Sequence, residues 1–345
     1  MLIGIALLMV MSCSDDIVDP GNWEKFYPVE EDVVFENVVD EPIDKGASAT
    51  TRKLYTYLRN RFGKNILLGD GNMTVKNKIP KLTGYDLMFY TQGCIDAGDE
   101  PEDGIPYRID WYKSHLPENN DIGGIITLHW HWYAPKDGAS FYYRNSSNPN
   151  GTKFDVSKAV IPGTEEYDLI IRDIDDIAKN LKRFADEDIP VLFRPLHEAG
   201  GNNGLDAWFW WGAKGPEACL KLWDILYDRL TNYHNLHNLL WVWSCPLEDW
   251  YPGDDKVDIL GYDSYPAKYD YSSQKMYFDR LYRICGGRKM IAMTENGAIP
   301  DIENCFRDNA PWLYFMTWWG FLDTDNDPAH IEKVLSDERL ITIEQ

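Results

Sequence analysis

Eight apolar runs recur along the chain with a regularity that organises everything else: ILLGD (66–70), LMFYTQG (87–93), GIITLHWHW (124–132), PVLFRPLHE (190–198), LLWVWSC (239–245), VDILGYDSY (257–265), KMIAMTENG (289–297) and WLYFMTWWG (312–320). Each is too short for a helix, and most are nearly continuous in apolar character, as strands are when both faces of their sheet are covered. Helical patterns separate most of them. The clearest spans 166–187, where Leu169, Ile170, Ile174, Ile177, Ala178, Leu181 and Phe184 recur at helical spacing. Others cover 216–233, opened by Pro216 in first-turn position, and 274–285. Strands alternating with helices predict an α/β fold, and eight such strands over about 280 residues predict a closed (β/α)8 TIM barrel. The competing doubly wound sheet needs a glycine-rich phosphate loop after its first strand, and none follows ILLGD.

The first 45 residues break this pattern. MLIGIALLMVMSC is apolar but too short to span a bilayer, and it resembles a bacterial lipoprotein signal with Cys13 as the lipidated residue. Ser14, Asp15 and Asp16 resemble the export tag of surface lipoproteins in Bacteroides-like bacteria. Residues 14–45, rich in Asp, Glu, Val and Pro, read as an acidic tether, leaving 46–345 as the (β/α)8 domain. The expectation is a secreted protein, lipid-anchored to the outer membrane at the cell surface or in the periplasm. The lipid would be its only membrane contact, and a monomer is expected.

Composition narrows the partners. A formal net charge of −22 repels phosphate backbones and disfavours nucleic acid. The 14 Trp and 21 Tyr serve two purposes equally well: core packing, and flat platforms for ligands with apolar faces such as sugar rings. Beyond Cys13, five cysteines remain without zinc-ligand spacing and read as buried fillers.

Two of the runs end in a carboxylate: RPLHE in Glu198 and TENG in Glu295, on the fourth and seventh strands. Strand C-terminal ends gather at one face of a barrel, so both side chains would enter one crater. Two carboxylates there resist joint ionisation, which stability has no use for. Glycoside hydrolysis does use it, with one protonated acid and one ionised carboxylate. Arg194 shares the strand parity of Glu198. His197 is either a donor to the ionised carboxylate or a core histidine. Asp263 and Tyr265 end the sixth strand on one shared face, the tyrosine suited to orienting a nucleophile and the aspartate to a sugar hydroxyl. Aromatics crowd the same ends, and Trp208 and Trp318 are the expected sugar platforms. His129 and His131 form an H-x-H pair that binds metal in some barrel hydrolases, but no later histidine or aspartate cluster completes a ligand set. No metal and no cofactor are expected.

RPLHE followed by WFWWG, with TLHWHW upstream, GYDSY, and TENG with a closing FMTWW, resembles glycoside hydrolase family 26 from about residue 50 to 335. The resemblance implies a retaining glycosidase with Glu198 as acid/base and Glu295 as nucleophile. It also implies a cleft lined by His131, Trp208, Asp263, Tyr265 and Trp318. Family members are chiefly endo-β-1,4-mannanases acting on mannan, glucomannan or galactomannan, so a β-mannan-type polysaccharide or oligosaccharide is the expected partner. A β-glucanase, a β-1,3-xylanase, or a non-catalytic surface glycan-binding barrel are the alternatives. Two departures stand out: the long link AGGNNGLDA between Glu198 and Trp208, and Trp319 where many relatives carry arginine.

Overall fold

The computed structural model describes residues 33–343 except 119–121, 202, 203 and 205, so Cys13 and the proposed signal lie outside the described residues. Eight parallel strands close on themselves: β1 (Ile66–Asp70), β2 (Leu82–Asp86), β3 (Ile125–His129), β4 (Val191–Arg194), β5 (Leu239–Ser244), β6 (Ile259–Ser264), β7 (Met290–Asn296) and β8 (Tyr314–Thr317). Each pairs with its successor, β8 pairs with β1, and a two-residue β9 (Leu340–Ile341) adds to β1 at Ile66 and Leu67. Helices flank this ring, so the expected (β/α)8 barrel is the fold.

Local chemistry sets the elements. The helix Glu165–Ala185 starts where the Thr164 side chain accepts the amide of Tyr167, carries three acids in its first turn and ends with Lys182 and Arg183. Its buried stripe holds Ile170, Ile174, Ile177, Ala178, Leu181 and Phe184, and one aspartate, Asp173. That acid is buried because the Trp132 indole N–H donates to it at 2.8 Å. Outside β5, Trp223 packs edge-on against Trp241 and Trp243 with ring centroids 5.3 and 5.1 Å away. The cysteines 94, 219, 245, 285 and 305 are buried free thiols.

Two expectations change. The second strand is not 87–93 but LTGYD, Leu82–Asp86, and Leu87–Tyr90 forms a 3-10 turn capped by Asp86. The strand has few apolar side chains because β8 fills its space: a Cβ on Gly84 would lie 2.3 Å from the Met316 methyl. Residues 33–45, read from sequence as the end of the tether, lie against the barrel. Val33 and Val38 are buried, the Ile43 amide donates to Asp258 at 2.9 Å, and His237 meets Asp44 at 2.8 Å.

Candidate active site

Glu295 is the sixth residue of β7, and a register shift there decides where it points. Tyr262 pairs with Met293 but Asp263 pairs with Glu295, so β7 carries one extra residue. Such a bulge turns consecutive side chains to one side. Thr294 and Glu295 consequently line the same cavity at the barrel mouth.

Glu198 arrives differently. β4 ends at Arg194, and the glutamate sits four residues further on, in a turn where both Leu196 and Glu198 have φ of 53°. Non-glycine residues avoid this left-handed region unless the surroundings over-determine it. Here the Glu198 amide donates to Ser244 O at 2.8 Å, the Trp211 indole donates to His197 O at 2.9 Å, and Leu196 is buried. The carboxylate itself receives the Trp208 indole N–H at 2.8 Å. Trp208 is held in turn by a strand-like contact between the loops after β3 and β4, with Tyr143 N–H on Trp208 O at 2.7 Å. The long link after Glu198 therefore still delivers Trp208 to the site.

One oxygen from each of Glu198, Asp263 and Glu295 falls in a set whose members lie within 4.8 Å of one another. Arg194 bridges two of them, donating to Asp263 Oδ2 at 2.9 Å and to Glu295 Oε1. The Tyr265 hydroxyl donates to Glu295 Oε2 at 2.9 Å from a ring exposed on the rim. Thr294 donates to Asp263 Oδ1 at 2.6 Å.

The acids diverge electrostatically. Burial, then the negative charges of Asp263 and Glu295, push Glu198 well above the ordinary carboxylate range; the Trp208 N–H and Arg194 offset less. Burial also acts to raise Glu295, but Arg194 together with the imidazoles of His129 and His131 holds it below its usual value. Asp263 is pushed up to about 6 by burial, with Glu295 adding and Arg194 opposing. At neutral pH the arrangement keeps a proton on Glu198 and a charge on Glu295.

A histidine chain backs the site. His131 Nδ1 donates to Asp86 Oδ2 at 2.7 Å, its backbone amide donates to Asp86 Oδ1 at 3.0 Å, and its Nε2 lies 3.2 Å from His197 Nε2. Burial opposes the Asp86 charge, yet His129 and His131 hold its carboxyl well below the usual range. His197 is 1% exposed. Burial, followed by Arg194 and the other two imidazoles, pushes it down, so its ring is neutral. Of the two readings drawn for His197 from sequence, the geometry favours the core histidine over the donor to the ionised carboxylate: the buried ring meets His131, while Arg194 and Tyr265 serve Glu295. Asp86 was not singled out from sequence, because a lone aspartate before an apolar run carries no signal.

Asp86, His129 and His131 also meet the spatial requirement for a metal site, as do Glu198, Asp263 and Glu295. In the first set, both His131 nitrogens are already in contact with Asp86 and His197. In the second, the Arg194 cation lies among the oxygens a metal would need. The donor sets fit a hydrogen-bonded site better than a metal centre.

The aromatics divide. Trp130, Trp132, Trp210 and Trp211 are fully buried, with Trp130 stacked on Trp132 at 4.0 Å, and serve the scaffold. Trp208 and Trp318 are partly exposed, and Trp318 lies 5.1 Å from the His129 ring.

Known proteins resemble this chain in sequence and fold. A mannan endo-1,4-beta-mannosidase of Thermothelomyces thermophilus is 37% identical over 316 residues, covering 87% of this chain and 62% of that protein. Mannan endo-1,4-beta-mannosidase B of Piromyces is 35% identical over 292 residues, 80% of this chain and 48% of its own. The chain thus spans about half to three-fifths of the length of these relatives. The crystal structure of a Podospora anserina beta-(1,4)-mannanase superposes with a TM-score of 0.78 at 35% identity, covering 89% of this chain and 69% of that one. A beta-mannanase from a symbiotic protist of the termite Reticulitermes speratus, solved with gluco-manno-oligosaccharide, gives 0.77 at 33% identity, covering 89% and 98%. The model of glycosyl hydrolase family 26 matches residues 43–344, and with the relatives above it shows that this chain belongs to that family.

Proposed function

We propose that the chain is a retaining endo-β-1,4-mannanase acting by double displacement. The observation that carries this reading is the close approach of Glu198 and Glu295, within 4.8 Å at their nearest oxygens, with opposite protonation preferences. Retaining glycosidases need about 5–5.5 Å between carboxyl groups, whereas inverting enzymes leave about 6.5–9.5 Å for a water. Glu198 gives its proton to the glycosidic oxygen as Glu295 attacks the anomeric carbon, releasing the leaving sugar and forming a glycosyl ester. The Glu198 carboxylate then takes a proton from water, whose oxygen attacks the same carbon and frees Glu295. One water is consumed and the β configuration returns.

Tyr265 and Arg194 orient Glu295, and in this reading Asp263 partners a sugar hydroxyl while Trp208 and Trp318 are platforms. A β-mannan is favoured because the relatives are named as mannan endo-1,4-beta-mannosidases and one was solved with gluco-manno-oligosaccharide. Lipidation at Cys13, with residues following it as a tether to an outer-membrane surface, completes the proposal, and mass spectrometry of the mature N-terminus tests that part. For the chemistry, Glu295→Ala should abolish release of reducing sugar from unbranched mannan. Glu198→Ala should keep hydrolysing aryl glycosides with good leaving groups. Near-parental mannan cleavage by Glu295→Ala, or an α-configured first product by NMR, refutes it.

A further inference from the structure

The Tyr265 hydroxyl donates to the nucleophile, yet the residue is 41% exposed, and a side chain so exposed keeps its rotamer freedom unless neighbours remove it. Two neighbours do. Phe321 opens the short helix Phe321–Asp325 after β8 and meets the Tyr265 ring edge-on, with centroids 5.5 Å apart and planes at 61°. Gly297, two residues after Glu295, lies against both rings: a Cβ there would stand 3.2 Å from Phe321 Cδ1 and 3.5 Å from Tyr265 Cδ1. The Gly297 amide in turn donates at 3.1 Å to the carbonyl of Ser264, the residue before Tyr265.

Phe321 and Gly297 belong to loops after different strands, and one buried side chain ties them together. Asn326 is 2% exposed. Its Nδ2 donates to Gly297 O at 3.2 Å and to Phe321 O at 3.1 Å, and its Oδ1 accepts the Ile299 amide at 2.7 Å. Both of its N–H groups and its oxygen are engaged, and turning the amide over would set its oxygen against two carbonyls. The loop after β6 joins the same junction, because Asp325 O accepts the Tyr269 amide at 3.0 Å. The loops that carry Tyr265, that follow Glu295 and that follow Trp318 therefore meet at residues 325 and 326. All three Asn326 hydrogen bonds go to backbone, so the side chain serves the shape of these loops.

We infer that Asn326 is a positioning residue for the nucleophile: by fixing Phe321 against Gly297 it keeps the Tyr265 hydroxyl on Glu295. The inference rests on the glycosidase reading above and adds to it a residue that touches none of the catalytic carboxylates. A Tyr265 ring released from Phe321 would leave Glu295 to Arg194, which holds Oε1 and not Oε2. Orientation of a nucleophile acts on the chemical step, so its loss falls on kcat.

The test is a double-mutant cycle on unbranched mannan, or on whichever β-glycan the parent cleaves. It measures kcat and KM for Asn326→Ala, Phe321→Leu and Phe321→Tyr, each alone and combined with Tyr265→Phe. Alone, Asn326→Ala and Phe321→Leu should each lower kcat about fivefold or more, with KM within about twofold of the parent. Combined with Tyr265→Phe, where no hydroxyl remains to be placed, they should change kcat by less than about twofold. Phe321→Tyr keeps the ring and should recover most of what Phe321→Leu loses. A purely structural role for Asn326 would lower kcat by the same factor in both backgrounds, and that result overturns the proposal. Unchanged kcat in the single variants overturns it too. If Asn326→Ala does not fold, Phe321→Leu, at a partly exposed position, decides between the same outcomes. Failure of the glycosidase reading looks different: the parent then releases no reducing sugar from any β-glycan, and this proposal falls with it.

Discussion

Replacing Arg194 by methionine, similar in length but neutral, should show how much one guanidinium does. Arg194 is 2% exposed and donates to both Asp263 and Glu295. Two unit charges about 4 Å apart interact by about 4 kcal/mol at the effective dielectric of about 20 that suits protein sites. Removing one partner of a buried pair costs about 3–5 kcal/mol, because the other charge is stranded. With two carboxylates stranded and Glu198 close by, the upper end of that range is expected near neutral pH. The variant can recover part of the loss by taking up protons, which gives the loss a sign in pH. In the parent, the depressed Glu295 contributes stability that is present above its unfolded pKa and lost as pH falls through its folded value. Asp263, raised to about 6, and Glu198 act oppositely: their contribution is greatest below the unfolded pKa and is lost as pH rises toward the folded one. Without Arg194, Glu295 joins the second kind. The deficit relative to the parent must therefore grow between about pH 4 and neutrality. Urea unfolding at about pH 5 and about pH 7.5 measures it, and the acid limb of kcat/KM should move to higher pH in parallel. A deficit equal at the two pH values, with an unmoved acid limb, refutes the electrostatic account.

Tyr265→Phe removes the hydroxyl that donates to Glu295 Oε2; hydrogen bonds to charged groups are worth about 1.5–3 kcal/mol, so kcat on mannan should fall roughly 10- to 100-fold with folding unchanged. Asp86→Asn keeps the shape but removes the charge that accepts two His131 N–H groups. Thermal unfolding should report a loss of about 1.5–3 kcal/mol, and kcat/KM should drop as His131 and His197 lose their fixed orientation. Trp132→Ala should cost about 3–5 kcal/mol in urea unfolding and lower kcat as well, because the ring packs between Trp130 and Asp173 and anchors the segment to which Trp210 ties the chain after Glu198.

What the sequence could reveal of this site depended on whether a residue's position follows from strand periodicity. Seven of the eight strands overlap apolar runs because each has both faces covered. β2 was missed because Gly84 yields its volume to Met316, so the strand lacks the apolar signature altogether. Arg194 obeys parity: it ends β4 facing the interior, where it finds its carboxylates. Glu295 does not, since an inserted residue in β7 turns it alongside Thr294, and a bulge leaves no mark in residue type. The location of Glu198 at the mouth was legible, but the two left-handed residues that aim it were not, because neither is glycine. His197 was left open between two roles for the same reason: beyond Arg194 the chain no longer alternates, and the buried ring turns toward His131 instead of the carboxylates.

The excess of tryptophan follows from these departures. A turn with Leu196 and Glu198 both at positive φ costs of order 1–3 kcal/mol per residue and persists only when its surroundings fix it. Trp211 fixes it by donating to the carbonyl of His197, which lies between the two strained residues. Trp210 donates to Trp132 O at 2.6 Å, tying the segment after Glu198 to the end of the β3 run, and Trp132 in turn is tied to Asp173 on the long helix. An indole suits this task because it fills a large apolar volume and carries a single donor that can be aimed at one carbonyl. The buried tryptophans thus hold the backbone that presents Glu198, and the partly exposed ones, Trp208, Trp318 and Trp319, are left to face the cleft. The composition that suggested sugar platforms from sequence is thus mostly buried scaffold, and within it Trp132, Trp210 and Trp211 are the part that keeps a strained acid in place.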